Sequence, residues 1–300
     1  MTASPFRKVL LPIRADVFCG AVFLKPLRIF LCSEETLLAK FFTLASSSGG
    51  NAYYLGSCGC GILIDAGISC RAIVSGLESR DIQPESLSGI LLTHEHIDHV
   101  KGLSVFLSHY PIPVYASAAV LKFLVANNLV PFNALLHELD EHGELIGSMM
   151  VVPFSTSHDS VGSFGYRIIT SDEHKFSICT DTGYLTDEAK NGLLGSDVVL
   201  IESNYDKNML ATGPYPYSLK RRIAGEKGHL SNTDCAVFLP ELVRSGTTYF
   251  ILAHLSKENN IPALAVETSV SELSMAGIRR ESDYRLFAAP RNELSETIVL

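Results

Sequence analysis

The stretch that most constrains this chain is Thr93-His94-Glu95-His96-Ile97-Asp98-His99, which follows the apolar run Gly89-Ile90-Leu91-Leu92. A short apolar run of this kind reads as a buried strand. Three imidazoles and the Asp98 carboxylate then fall between positions 94 and 99, a density that does not suit a packed core. Neutral His nitrogen and Asp oxygen are donors that zinc, manganese and iron accept. The spacing sorts the donors into two sets. His94 and His96, two apart as the strand ends, can share one metal. Asp98 and His99 lie where the chain turns toward Val100–Tyr110 and can hold a second. Four residue types at fixed offsets make a far more specific signal than a lone His pair.

The rest of the chain is of ordinary globular make-up. Its 300 residues are 47% hydrophobic and 19% charged, enough for a sizeable core and unlike a disordered chain. The formal net charge of −8 argues against a general nucleic-acid-coating protein, which would be basic. A nuclease stays open, because bound metals add positive charge that the count omits. Seven cysteines without Cys-x-x-Cys spacing point to a reducing compartment, hence the cytoplasm, and to no disulfide framework. No stretch of about 18 uncharged apolar residues occurs, so no membrane span is expected.

Residues 1–39 differ from the remainder of the chain. Their apolar patches are broken by Pro12, Arg14, Asp16, Lys25, Pro26 and Arg28, without the single apolar core and cleavage site of a signal peptide. They read as an N-terminal extension: a disordered arm, or residues upstream of the true start. From residue 40 to 300 the pattern is regular. Phe41–Ala45, Ala52–Leu55 and Gly61–Ile64 predict an antiparallel meander, with Ser46–Asn51 as a turn. Cys70–Ser79 predicts a helix, and Asp81–Leu87 a loop. Beyond the motif, Val100–Ser108 is amphipathic, and helices are predicted over Ala118–Asn127, Ser231–Arg244 and Pro262–Ala276. Ser231 suits an N-cap, and Pro240 predicts a kink or break. Strands are predicted over Pro113–Ala116, Met149–Phe154, Gly165–Thr170, Lys175–Cys179, Val198–Ile201, Thr248–Ala253 and Arg285–Ala289.

Four of these strands stop on a potential ligand or proton carrier: His94, His158, Asp181 and His254. Strand ends along one edge of a sheet are where α/β folds gather their sites. A catalytic pair of metals needs one further ligand on each ion and a group between them. His158 completes the first set beside His94 and His96, His254 the second beside Asp98 and His99, and Asp181 can bridge. Asp98 counts as a catalytic group as well as a ligand. The cofactor expected is two divalent ions, zinc first, with manganese or iron accepted by the same donors. Asp65 is placed to orient a ligand or turn, and Glu95 to face solvent across the strand.

The Thr-His-Glu-His-Ile-Asp-His run, with His158, Asp181 and His254 following in that order, resembles the metallo-β-lactamase fold superfamily. That resemblance implies an α/β fold, a four-layer αββα sandwich with the metal site at one edge. From about Lys40 to Leu300 the chain resembles more closely the bacterial YycJ/WalJ group, regarded as DNA exonucleases of this fold. The resemblance rests on Leu44–Asn51, Thr180-Asp181-Thr182-Gly183-Tyr184, Ile201–Asp206, Gly228-His229-Leu230-Ser231-Asn232, His254–Asn260 and Ala289–Glu293. Residues 1–39 and Ser160–Phe164, where the group carries a proline, depart from it. Glu202 and His229 are similar to a pair in ribonuclease Z. That likeness implies a Glu–His couple delivering a proton to the leaving oxygen, the carboxylate raising the pKa of the imidazole. The alternative is that His229 only caps or packs against the helix after it.

The leading functional reading is a phosphodiesterase acting on nucleic acid, DNA by the resemblance. A hydroxide bridging the metals attacks phosphorus and His229 protonates the departing oxygen. Lys220, Arg221, Arg222 and Lys227 could grip flanking phosphates or form only a solvated face. The competing reading is a small-molecule thioester or lactone hydrolase of the same fold, which needs no phosphate-gripping surface. A silent binding module is disfavoured by the full ligand set.

Overall fold

The computed structural model describes residues 38–300, so the reading of residues 1–39 lies almost wholly outside it. Two seven-stranded sheets face each other, each part antiparallel and part parallel. In the first, β1 (Lys40–Ser47), β2 (Gly50–Ser57) and β3 (Cys60–Ile64) form the antiparallel meander. The parallel strands β4 (Leu87–Leu91), β5 (Val114–Ala116) and β6 (Leu136–Glu138) continue it. In the second, β7 (Glu144–Ile146), β8 (Met149–Ser155), β9 (Phe164–Ile169) and β10 (Lys175–Cys179) are antiparallel. The strands β11 (Val198–Glu202), β12 (Tyr249–Ala253) and β13 (Arg285–Ala288) then run parallel to β10. The C-terminal β14 (Ile298–Val299) returns to pair with β1.

The strands are buried on both faces, which is why they read as apolar runs rather than clean alternations. Phe41, Tyr53, Ile62 and Ile64 meet Val151, Tyr166, Phe176, Ile178 and Leu200 between the sheets. Their neighbours Phe42, Leu63 and Ile90 face outward onto helices α1 (Cys70–Glu78), α3 (Leu103–His109) and α4 (Ala118–Ala126). Val199, Ile201 and Phe250 pack on α5 (Asp187–Leu193), α8 (Asn232–Arg244) and α9 (Pro262–Met275). The four layers are therefore helix, sheet, sheet, helix, the αββα order. Among the described residues, no helix is long and apolar enough to cross a membrane.

Several local expectations need correction. The amphipathic run Val100–Ser108 carries α3, but a separate short helix, α2 (Ile97–Val100), precedes it, and between the two Gly102 donates its backbone N–H to Ala66 O at 2.8 Å. Pro240 does not break α8, which runs unbroken from Asn232 to Arg244. Phe238, Leu239, Pro240 and Leu242 are all buried there, and packing outweighs the one lost backbone bond. Asp81–Leu87 holds a 3₁₀ turn at Pro84–Ser86. Glu95 does not face solvent. Strand β4 ends at Leu91, and the segment after it turns Glu95 inward, 7% exposed, to accept a bond from Val161 N at 3.0 Å. The short β6, β7, β14, α5, α6 (Lys207–Thr212) and α7 (Tyr217–Ile223) leave too little periodicity to read.

The turn Asp65-Ala66-Gly67 after β3 is what seats the metal motif. Ala66 N bonds His99 O at 2.8 Å, and Gly67 N bonds Asn51 O at 2.8 Å. A Cβ on Gly67 would lie 1.6 Å from Asp98 O, so only glycine lets these backbones approach. Gly67→Ala should therefore cost about 1–3 kcal/mol of stability and displace the Asp98 segment. A thermal melt checks it, and an unchanged melting temperature would contradict the close-packed seat.

Candidate metal centre and active site

The parallel strands β4, β10, β11 and β12 all deliver site residues from their carboxyl ends: His94, Asp181, Glu202 and His254. His158 arrives from the loop after β8. His96, Asp98 and His99 sit at the start of α2, with His96 in the N-cap position. Three of the gathering residues hold left-handed backbone: Asp65 at φ 59°, Asp181 at φ 54° and His254 at φ 55°. Non-glycine residues adopt it uncommonly, and such residues tend to cluster at functional sites.

Donor atoms converge into overlapping groups that include both expected sets, and a further group joins Asp181, Glu202, His229 and His254. His94, His96 and His158 form one group, Asp98, His99 and His254 another, with Asp181 beside His94 and His99. His96 Nδ1 lies 3.2 Å from His158 Nε2. His99 Nε2 lies 3.2 Å from Asp181 Oδ2 and 3.5 Å from Asp98 Oδ2, and His254 Nε2 lies 3.3 Å from Asp98 Oδ2. Ligands about 2.0–2.2 Å from one tetrahedral metal stand roughly 3.3–3.6 Å apart, so the spacing fits.

The outer nitrogens explain how the inner ones are aimed. His99 Nδ1 donates to Asp65 Oδ2 at 2.8 Å, His158 Nδ1 to Gly228 O at 3.0 Å, and His254 Nδ1 to Glu202 Oε1 at 2.9 Å. His94 Nδ1 meets Thr93 Oγ1 at 3.1 Å, and that hydroxyl donates to Asp65 Oδ2 at 2.9 Å. With a proton held on Nδ1, each ring has its Nε2 left to offer to the centre, the arrangement of metal-ligating histidines. His94 Nε2 and Asp181 Oδ2 are buried without a hydrogen-bond partner, which structural polar atoms seldom are. These residues thus fit a pair of divalent ions.

The electrostatics agree. Burial pushes His254 and His99 toward neutrality, but the carboxylates outweigh it. Asp181, Asp98 and Glu202 push His254 up to about 10, and Asp65 and Asp181 hold His99 well above its usual value. Burial would raise Asp98 and Asp181, yet the surrounding imidazoles hold both well below the carboxylate range. Burial and His99 together keep His94 well below normal. The centre is a sink for positive charge, and protons and metal ions compete for it.

Glu202 is wholly buried and accepts four bonds. Its Oε1 takes His229 Nδ1 at 2.8 Å as well as His254, and its Oε2 takes Thr182 N at 2.8 Å and Leu230 N at 3.2 Å. The predicted Glu202–His229 pair is thus formed. Burial opposes protonation of His229, but Glu202 raises its pKa. His229 keeps 22% of its side chain exposed, leaving Nε2 as its outward atom. Ser231 caps α8 through Asp234 N at 3.1 Å. The basic cluster is partly committed: Lys220 Nζ donates to Ala211 O at 2.7 Å and Arg222 Nε to Asp159 Oδ2 at 2.6 Å. Arg221 and Lys227 are the exposed cations left over.

Sequence reasoning missed the work of four buried asparagines. Asn51 Nδ2 reaches Ser47 O at 2.9 Å and lies 3.1 Å from His99 Nε2. Asn204 Nδ2 holds His254 O at 2.7 Å. Asn232 and Asn260 exchange side-chain amide bonds at 2.8 and 2.9 Å, and Asn260 Nδ2 also reaches Ser203 O at 2.9 Å. Together they stitch the segments carrying Glu202, His229 and His254. Their signal lies in Glu-Ser-Asn, Leu-Ser-Asn and Glu-Asn-Asn, which read in sequence only as marks of family resemblance. Asn260→Ala should strand these acceptors and cost about 1–3 kcal/mol. The check is a lower urea midpoint at constant slope; an unmoved midpoint would mean that the network carries no stability.

Residues 61–254, more than half of the chain, match the beta-lactamase superfamily domain. Exodeoxyribonuclease YycJ of Bacillus anthracis is 36% identical over 236 residues, covering 78% of this chain and 88% of that protein. Exodeoxyribonuclease WalJ of Streptococcus pneumoniae is 36% identical over 251 residues, covering 83% and 93%. The crystal structure of the metallo-beta-lactamase fold protein YhfI from Bacillus subtilis superposes with a TM-score of 0.64. It is 15% identical and covers 86% of this chain and 99% of that one, a likeness of fold alone. With the four-layer sandwich and the converging His and Asp donors, these matches place the chain in the metallo-β-lactamase superfamily, in the family of YycJ and WalJ.

Proposed function

We propose that this protein is a metal-dependent exodeoxyribonuclease of the cytoplasm, cleaving the phosphodiester bonds of DNA. The observation that carries the reading is the shared oxygen of Glu202, which holds His229 on one side and His254 on the other at 2.8 and 2.9 Å. A proton donor is thereby fixed beside the candidate metal centre, as a poor leaving group such as a sugar alkoxide requires. The names of YycJ and WalJ support the choice of DNA and of exonuclease action. Among the described residues Cys60, Cys70, Cys179 and Cys235 form no disulfide, which supports a reducing compartment.

His94, His96 and His158 would hold one ion, and Asp98, His99 and His254 the other, with Asp181 between them. Zinc suits this donor set, and manganese or iron would be accepted according to supply. Bound divalent ions lower the pKa of water and neutralise charge on the phosphoryl group. The chain's own groups do the rest. Asp98, with 18% of its side chain exposed, is the carboxylate placed to accept a hydrogen bond from attacking water. Glu202 orients His229 through Nδ1 and stabilises its protonated form. His229 Nε2 gives its proton to the departing oxygen, and Asp65 and Thr93 keep the ring of His99 in place.

His229→Ala should keep the fold and the metals, and slow cleavage of oligonucleotides by roughly 10²–10⁴-fold. The loss should shrink on a substrate that leaves as p-nitrophenolate, which needs no proton. A panel of single- and double-stranded DNA and RNA, thioesters and lactones, each with zinc or manganese, tests the substrate class. Equal losses on both leaving groups would remove the proton-donor role. A parent enzyme that opens thioesters or lactones and cleaves no nucleic acid would replace the nuclease reading with the small-molecule one.

A further inference from the structure

Beside His158 the surface opens into a cleft of ≈ 300 Å³ that the chemistry of the metal centre does not use. Ser155, Thr156, Ser160, Phe164 and Lys227 line it, with His158 on the side of the metal centre. The Ser157 and Ser163 hydroxyls of its wall are spent on Glu226 O and Thr156 O, at 2.8 and 3.1 Å, but other donors there have no acceptor. The Thr156 hydroxyl is buried and has no partner. The Ser155 hydroxyl and the Lys227 ammonium are uncommitted among the described residues. The Ser160 hydroxyl accepts from Gly162 N at 3.3 Å and keeps its own proton to give.

The carboxylates nearest these donors are each held by another partner, Glu188 by the backbone of the cleft wall itself. Glu188 accepts from Ser155 N at 2.8 Å, Asp159 pairs with Arg222 at 2.6 Å, and Glu95 accepts from Val161 N at 3.0 Å. The same bonds stiffen the walls. Asp159 N holds Lys227 O at 3.0 Å, so the lysine is rooted on the loop that carries His158. Uncommitted hydroxyls and an ammonium select an acceptor-rich anion. The volume lies at the bottom of the range for small-ligand sites, about 300–1,000 Å³. It suits one phosphate with its sugar, the sugar resting on the Phe164 ring.

We propose that this cleft binds a phosphate of the nucleic acid one nucleotide from the scissile bond, with Lys227 and Thr156 as its principal contacts. The proposal rests on the nuclease reading for its biological substrate, but its binding test does not. Calorimetry on the metal-loaded full chain, with deoxynucleoside 5′- and 3′-monophosphates and inorganic phosphate, measures the subsite directly. Lys227→Gln and Thr156→Val should each weaken the preferred monophosphate, Lys227→Gln by about tenfold or more. Unchanged affinity in both variants would place the phosphate on the metal centre alone and overturn the proposal.

Oligonucleotides ending in a 5′-phosphate, a 3′-phosphate or hydroxyls then locate the phosphate along the strand. A preference for one phosphorylated end that Lys227→Gln removes assigns the cleft to that terminal phosphate. A uniform rise in the Michaelis constant across all ends assigns it to an internal one. No change with any end overturns it. If the parent cleaves no oligonucleotide, the nuclease reading fails, and calorimetry still decides whether the cleft holds phosphate.

Discussion

The fold depends at its working edge on one constraint: lone pairs of like character are forced together in a dry place. His94, His99, His158 and His254 each spend their Nδ1 proton on a fixed acceptor and turn Nε2 toward Asp98 and Asp181. Such a centre is unfavourable unless positive charge enters it. The raised His99 and His254 and the depressed Asp98 and Asp181 are the signature of that demand. Left-handed backbone at Asp65, Asp181 and His254 adds strain on the order of 1–3 kcal/mol each. The two apolar layers outside the sheets and the one between them hold the strand ends against that cost.

Glu202 makes the candidate metal centre and the candidate proton donor one object. It cannot turn toward His229 without also fixing His254, and its second oxygen ties both to the backbone at Thr182 and Leu230. The Asn204, Asn232 and Asn260 bonds keep those three segments in register. Hydrolysis of a bond with a poor leaving group needs this linkage, since charge neutralisation and proton delivery must act on the same phosphoryl group.

Strands buried on both faces announce themselves in sequence as apolar runs, and most of the predicted strands therefore lie close to the observed ones. The His and Asp donors are legible because their offsets are local and because strand ends share an edge. Other features are hidden by their nature. Glu95 is misjudged when period-2 reasoning is carried past the real end of β4 at Leu91. Pro240 reads as a breaker because local propensity cannot see Phe238 and Leu239 buried in the second sheet's outer layer. The bonds of Asn204, Asn232 and Asn260 join residues 28 to 57 positions apart, where no local pattern exists. The basic run looks available in sequence, and only the fold reveals that Asp159 holds Arg222.

The central claim is that converging donors hold two ions with Asp181 between them. Metal analysis of native, freshly purified, chelator-free protein tests it most directly. The account predicts close to two transition-metal ions per chain, falling to about one or none in Asp181→Ala. A protein that carries no such metal, and takes up none on titration, would contradict it.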